Sequence, residues 1–231
     1  MDKFEILFGI KKSCIKENCV LMPFVAKYIL KNLNITDFKK GKIYSSADAP
    51  GFTIIQTGIG PGFTGDAVLF LKDTACKNII LFGSCGLLEE KDRLSVGSLV
   101  SPSKCYSHES FSSMLLNPCA EDKIFYPDKT LFEKIIKQNI EIKNVACATV
   151  SSLKLEEENI NLFRNKNIDV FDMECSALFS AGNHAGIKTA ALFYISDIIN
   201  DKPFYMNMDN DLKLKISGSI NKAIAILTEI L

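Results

Sequence analysis

The chain has 231 residues, enough to bury a substantial core, and no Pro-, Gly- or Ser-rich linker divides it, so a single domain over 1–231 is expected. Lys plus Arg and Asp plus Glu number 27 each, which leaves no global charge to attract nucleic acid or an anionic membrane and favours a small or neutral ligand. No apolar run is long enough to span a membrane and the N-terminus lacks a signal-peptide core, so a cytoplasmic protein is expected.

Short apolar, β-branched runs alternate with longer amphipathic stretches, the pattern of an α/β fold: a mixed, mostly parallel sheet flanked by helices. In chain order, Cys19–Met22 reads as a strand leading into a helix over Val25–Leu33. Phe52–Thr57 reads as a strand ending at the glycine turn 58–62, followed by a helix over Asp66–Thr74. Asn78–Phe82 is a buried strand ending at Gly83-Ser-Cys-Gly86, and Ser98–Ser101 a short strand. Lys129–Asn139 has helical spacing, Val145–Val150 is strand, and Glu156–Phe163 is helix. The cluster Glu156–Glu158 reads as the solvated first turn of that helix. A brief strand at Val170–Asp172 precedes an apolar helix over Met173–Ala185. Thr189–Ile195 is strand, 196–210 a polar loop, and Leu212–Leu231 a closing helix.

Arg93 and Arg164 are the only arginines, a scarcity that matters because Arg is the preferred bidentate clamp for phosphate. The eight cysteines show no CxxC pair and several lie in apolar runs, so reduced, mostly buried thiols and no metal site are expected.

Three segments place polar or glycine residues at strand ends, where open α/β sheets gather ligands. In Thr57-Gly-Ile-Gly-Pro-Gly62 the backbone of Gly58 and Gly60 is free to approach an anion or hydroxyl at a helix start, although a tight turn without ligand produces the same pattern. Ser84 in Gly83-Ser-Cys-Gly86 offers a hydroxyl between two glycines, without the GxSxG spacing of a nucleophile elbow. In the third, Val170-Phe-Asp-Met-Glu-Cys175 opens a helix and Phe193-Tyr-Ile-Ser-Asp197 ends the next strand. Asp172 reads best as a helix N-cap, Glu174 is a charge among apolar neighbours that needs a partner, and Asp197 is either a loop cap or an acid–base group.

Together these segments resemble the purine nucleoside phosphorylase and methylthioadenosine nucleosidase superfamily over nearly the whole chain. Val20-Leu-Met-Pro23 with Ala26-Lys-Tyr-Ile29 resembles the opening strand and helix of hexameric bacterial purine nucleoside phosphorylases. Gly83-Ser-Cys-Gly86 has that group's form, Val96-Gly-Ser-Leu-Val100 resembles its next strand, Met173-Glu174 its ribose-binding pair, and Ser196-Asp197 the Ser-Asp carrying its general acid.

The resemblance implies an enzyme that cleaves the N-glycosidic bond of a nucleoside, with a purine as the expected base. Glu174 would hold the sugar hydroxyls, Met173 would pack on the sugar, and Asp197 would protonate the leaving base beside Ser196. Ser84, Gly58 and Gly60 would line the place of the nucleophile. Phe63, Phe204 or Tyr205 would supply a face for the base, because the family's stacking aromatic falls near Ser152 or Leu153 here.

The resemblance also implies a homo-oligomer, dimer, trimer or hexamer, with Lys40 standing for an arginine lent by a neighbour. The family's phosphate-gripping loop is missing between Pro23 and Ala26, and Leu81 and Lys27 stand where a phosphate arginine and the nucleosidases' glutamate would be. The first expectation is phosphorolysis with an altered phosphate site, phosphate serving as co-substrate and no cofactor being needed. The alternatives are hydrolysis of a nucleoside such as methylthioadenosine or S-adenosylhomocysteine, and nucleoside binding without catalysis.

Overall fold

The computed structural model describes residues 2–91, 93–117, 123–138 and 141–231. Cys119 and the last residue of the helix expected over 129–139 lie outside them. The elements run α1 (Lys3–Phe8), β1 (Asn18–Met22), α2 (Lys27–Asn32), β2 (Lys39–Lys40), β3 (Ser45–Ala49), β4 (Phe52–Gln56), α3 (Pro61–Leu71) and β5 (Asn78–Leu87). They continue with β6 (Leu99–His108), α4 (Phe111–Leu116), β7 (Lys123–Phe125), α5 (Lys129–Gln138), β8 (Lys143–Val150), α6 (Leu153–Glu158) and α7 (Ile160–Asn165). The last are β9 (Val170–Asp172), α8 (Cys175–Ala185), β10 (Lys188–Ile198) and α9 (Asn210–Ile230).

All ten strands join one mixed sheet. Its long ladders, β5 with β10 and β6 with β8, are parallel, as are β1 with β4 and β5. Antiparallel pairs occur at β2–β3–β4, at β6–β7 and in two short contacts, β10–β6 and β5–β9. Strands β5, β10, β6, β8 and β9 close into a ring, and β1, β4, β3 and β2 extend from β5 as an open wing.

Burial on both faces explains why the central strands read as continuous apolar runs. Leu21, Ile79 and Leu81 pack towards α1, α3 and α8 with Phe4, Phe8, Val68 and Phe179, whereas Val20, Ile80 and Leu192 pack towards α2, α5 and α9. Helix α1 escaped the sequence reading although Phe4 and Phe8 sit one turn apart, with their rings stacked at 4.2 Å.

Several boundaries moved for identifiable reasons. Pro61 starts α3 earlier than expected, because proline fixes a helical φ and lacks only an N–H that the first turn leaves unpaired. The stretch 156–163 forms two helices meeting at Asn159. The predicted turn 83–86 and the start of the predicted loop 196–210 are instead strand: β5 runs unbroken to Leu87 and β10 to Ile198. Ladder pairing between these two strands, ten residue pairs long, overrides the weak strand propensity of glycine and serine. The described cysteines are free, and only Cys14 is exposed.

Candidate active site

Strand β5 changes partner halfway along one edge. Leu81 pairs with Leu21 of β1, but β1 ends at Met22, and the next partner on that edge is Phe171 of β9, opposite Gly86. The intervening residues, 82–85, keep only the β10 ladder on their other edge. A cavity of about 350 Å³ opens at this gap. Its floor is the main chain from Gly83 to Gly86, and its walls come from Pro23 and Phe24 after β1, Met173 and Glu174 after β9, and Ser196 and Asp197 on β10.

Of the sequence-derived candidates, Ser84, Met173, Glu174, Ser196, Asp197 and Phe204 all line this cavity. Gly58, Gly60, Lys40, Phe63 and Tyr205 do not. Lys40 is exposed on β2 at the outer end of the wing.

Asp197 is aimed by a bulge. The β10–β5 register slips between Ile195 and Asp197, so Ser196 is the extra residue and Asp197 sits opposite Gly86. The Ser196 hydroxyl lies 2.5 Å from Asp197 Oδ1 and 3.3 Å from the Cys85 carbonyl. Burial raises the Asp197 carboxyl above its usual range, and hydrogen bonds from Ser196 and the Phe204 backbone only partly oppose this.

Glu174 stands at the start of α8, and its carboxylate accepts the Gly60 N–H at 2.7 Å. Gly60 has φ +119°, open to glycine alone, which lets the 58–62 turn present that N–H. The amide expected to face a nucleophile is therefore committed to Glu174. Burial lifts the Glu174 carboxyl to about 7, opposed by backbone hydrogen bonds from Gly60 and Met173.

The N-cap of α8 is Glu174, not Asp172 as the sequence suggests; Asp172 ends β9 two residues earlier, and its side chain reaches forward to the helix start, where Oδ2 accepts the amides of Glu174 at 2.8 Å and Cys175 at 2.5 Å while Oδ1 accepts the Thr149 hydroxyl at 2.6 Å. This fixes the backbone that carries Glu174.

One lining residue was read otherwise in the sequence. Glu156 was assigned to a solvated turn, yet it is 6% exposed and lines the cavity. Six-residue α6 turns Leu155 and Glu156 inward and leaves Glu158 outside, 3.4 Å from Lys154. Burial, with Asp197 nearby, pushes the Glu156 carboxyl up to about 8. Phe24 was also missed as a lining residue.

The cavity thus presents four carboxyls, Glu156, Asp172, Glu174 and Asp197, and among the described residues no Lys, Arg or His lines it. A wider groove of about 580 Å³ beside α2 and α9 holds only Glu229 as a charged lining residue and lacks convergent chemistry. Three fully buried thiols, Cys105, Cys147 and Cys175, gather their sulfurs within 4.8 Å of one another, a donor set suited to a soft metal. None of them lines the cavity, and Cys147 donates to Asp172 Oδ1 at 3.5 Å.

The ten-stranded mixed sheet flanked by helices matches the nucleoside phosphorylase and nucleosidase fold. A sequence model of the phosphorylase superfamily matches residues 22–231, and the chain belongs to that superfamily. Its structure is similar to uridine phosphorylase from Vibrio fischeri, with a TM-score of 0.75 and 19% identity, covering 96% of this chain and 94% of that one. It is similar to the 5'-methylthioadenosine/S-adenosyl homocysteine nucleosidase of Campylobacter jejuni, with a TM-score of 0.72, 15% identity and coverage of 94% and 98%. It is also similar to AMP nucleosidase from Bacteroides thetaiotaomicron, with a TM-score of 0.70, 17% identity and coverage of 98% and 94%. No curated protein sequence matches.

Proposed function

We propose that this protein hydrolyses the N-glycosidic bond of a nucleoside, with water rather than phosphate as nucleophile. The observation that carries the choice is what the cavity lacks: among the described residues no Lys, Arg or His lines it. A phosphate dianion would enter beside the Glu174 carboxylate with neither a cation nor a bidentate clamp to meet it, whereas water carries no such penalty. The phosphorolysis first expected from the sequence gives way to hydrolysis on this ground.

The mechanism needs two carboxyls in opposite states. Asp197, kept protonated by burial, donates to a ring nitrogen of the base, so the electron pair of the breaking C–N bond leaves on a neutral molecule. Glu174, held in place by Gly60, accepts the sugar hydroxyls and stabilises the positive charge that develops on the sugar. Met173 packs on the sugar, and the partly exposed Phe24 and Phe204 supply apolar faces for the base. The water attacks from the side of Ser84. An oxocarbenium-like sugar is electrophilic enough that orienting this water counts for more than deprotonating it.

A homo-oligomer belongs to the same reading. Phe24, Ile59, Leu153 and Phe204 leave an exposed apolar rim round the cavity that a neighbouring subunit would cover. Sedimentation showing only monomer at micromolar concentration counts against this.

The test is release of free base from a panel containing adenosine, inosine, uridine and methylthioadenosine, with and without phosphate. Hydrolysis gives the same rate in both conditions and a free sugar. A strict phosphate requirement would restore phosphorolysis, and no release from any substrate would leave a binding protein.

A further inference from the structure

Glu156 is the cavity carboxyl to which the mechanism above gives no task. Its side chain is buried and lines the cavity, and among the described residues no hydrogen bond or ion pair reaches its carboxyl. Its oxygens are not sealed from solvent, so a ligand that enters the cavity is what can meet them. It also converges with the general acid. A methyl carbon placed on Gly86 would lie 3.5 Å from Asp197 Oδ2 and 3.7 Å from Glu156 Oε1, so both carboxyls close on one point that the bare glycine leaves open. A base that offers a ring nitrogen to Asp197 must therefore set its neighbouring substituent against Glu156.

Resting on the glycosidic reading, we propose that Glu156 selects the base, and that it selects a purine carrying an amino group beside the ring nitrogen that Asp197 protonates. When Asp197 gives up its proton it becomes a carboxylate next to Glu156. The Glu156 O–H turns to that charge, which leaves the Glu156 carbonyl oxygen as an acceptor facing the base. An amino group donates to this oxygen, whereas an oxo group sets lone pair against lone pair. Protons balance: one moves from Asp197 to the base, the C–N electron pair leaves with the base, the attacking water keeps one proton in the new sugar hydroxyl and releases the other to solvent, Asp197 regains one from solvent, and Glu156 keeps its own proton throughout. The raised Glu156 carboxyl, at about 8, agrees with a group neutral at physiological pH.

Adenosine and inosine share their sugar and differ at this substituent, and adenine and hypoxanthine carry the same contrast without chemistry. The wild type should favour adenosine in kcat/KM, and adenine in calorimetric binding, by about tenfold or more. Glu156→Gln, whose amide also offers one donor and one acceptor, should keep the preference, and Glu156→Leu should bring both ratios close to one. Near-UV circular dichroism checks that the variants fold, with Glu156→Met as a second apolar replacement. Absence of a preference in the wild type, or its survival in the apolar variants, overturns the inference and leaves the glycosidic reading intact. A binding preference that Glu156→Leu abolishes, without cleavage of any nucleoside, upholds the inference and overturns the reaction. If neither base binds and none is released, both fall.

Discussion

The backbone amide of Gly60 reaches the Glu174 carboxylate at 2.7 Å across 114 residues of sequence. It ties the turn after β4 to the start of α8, and so joins two segments that looked like separate candidates in the sequence. No atom lies within 4 Å of a carbon added at Gly60, so what forbids a side chain there is the backbone angle rather than space. Gly60→Ala should cost on the order of 1–3 kcal/mol and loosen Glu174, which would raise KM for the nucleoside more than it lowers kcat. A thermal melt and steady-state kinetics check this, and unchanged KM would show that Glu174 does not depend on the amide.

The two carboxyls central to the mechanism should fail differently. Asp197→Asn keeps the volume and a donor but cannot transfer a proton, so kcat should fall on the order of 10²–10⁴-fold for substrates with poor leaving bases, with binding largely kept. Glu174→Gln should weaken binding and slow chemistry together. Comparing a nucleoside whose base departs readily without protonation is decisive: an equal loss in Asp197→Asn on both kinds of substrate would mean that Asp197 only orders its loop.

The dependence of kcat/KM on pH should be bell-shaped. The acidic limb should rise through about 7 as Glu174 ionises, because only its charged form serves the sugar. Asp197 works only while protonated, and burial holds its carboxyl above the usual range, so its ionisation sets the other limb. Each limb should disappear with its own carboxyl, Glu174→Gln removing one and Asp197→Asn the other. A profile that stays flat through both transitions would be incompatible with these roles.

Stability carries a signature of Glu156. Its carboxyl ionises near 4.5 when unconstrained and near 8 in the fold, so between these values the folded state holds a proton that the unfolded chain has released. This contribution to stability is therefore undiminished below pH 4.5 and declines as pH rises towards 8. Glu156→Gln removes the dependence, and should raise Tm at pH 9 by on the order of 5 °C and by much less at pH 5. Differential scanning calorimetry at the two pH values reads this directly, and an equal shift at both would mean that Glu156 is solvated.

The apolar strands were legible because burial on both faces demands continuous Val, Ile, Leu and Phe; Glu174 and Asp197 were legible because polar groups beside such runs require a reason, and Met173 and Ser196 only through the family resemblance. Other features depended on distant partners. Gly83, Ser84 and Gly86 look like a turn by composition, and only the ladder to β10 makes them strand. Three consecutive glutamates look solvated, and only the packing of Leu155 into the cluster with Val150, Phe163, Phe171 and Ile199 turns Glu156 inward and leaves Glu158 outside. The short strands β2 and β3 carry Lys, Ser, Ala and Asp, with little β-branched signal, and exist because β4 templates them.

The change of partner along β5 separates what is inherited from what is adjustable. The floor of the cavity is main chain clamped by the β10 ladder, so the reacting groups keep their spacing whichever side chains surround them. The rim, by contrast, is chain that has just left a strand: Pro23 and Phe24, Ile59, and the 199–209 segment carrying Phe204. Shortening the stretch between Met22 and Ala26 removes rim without disturbing a single strand pair. What the lip presents to an entering molecule can thus change through insertions and replacements there, while the strand ladders beneath it stay paired.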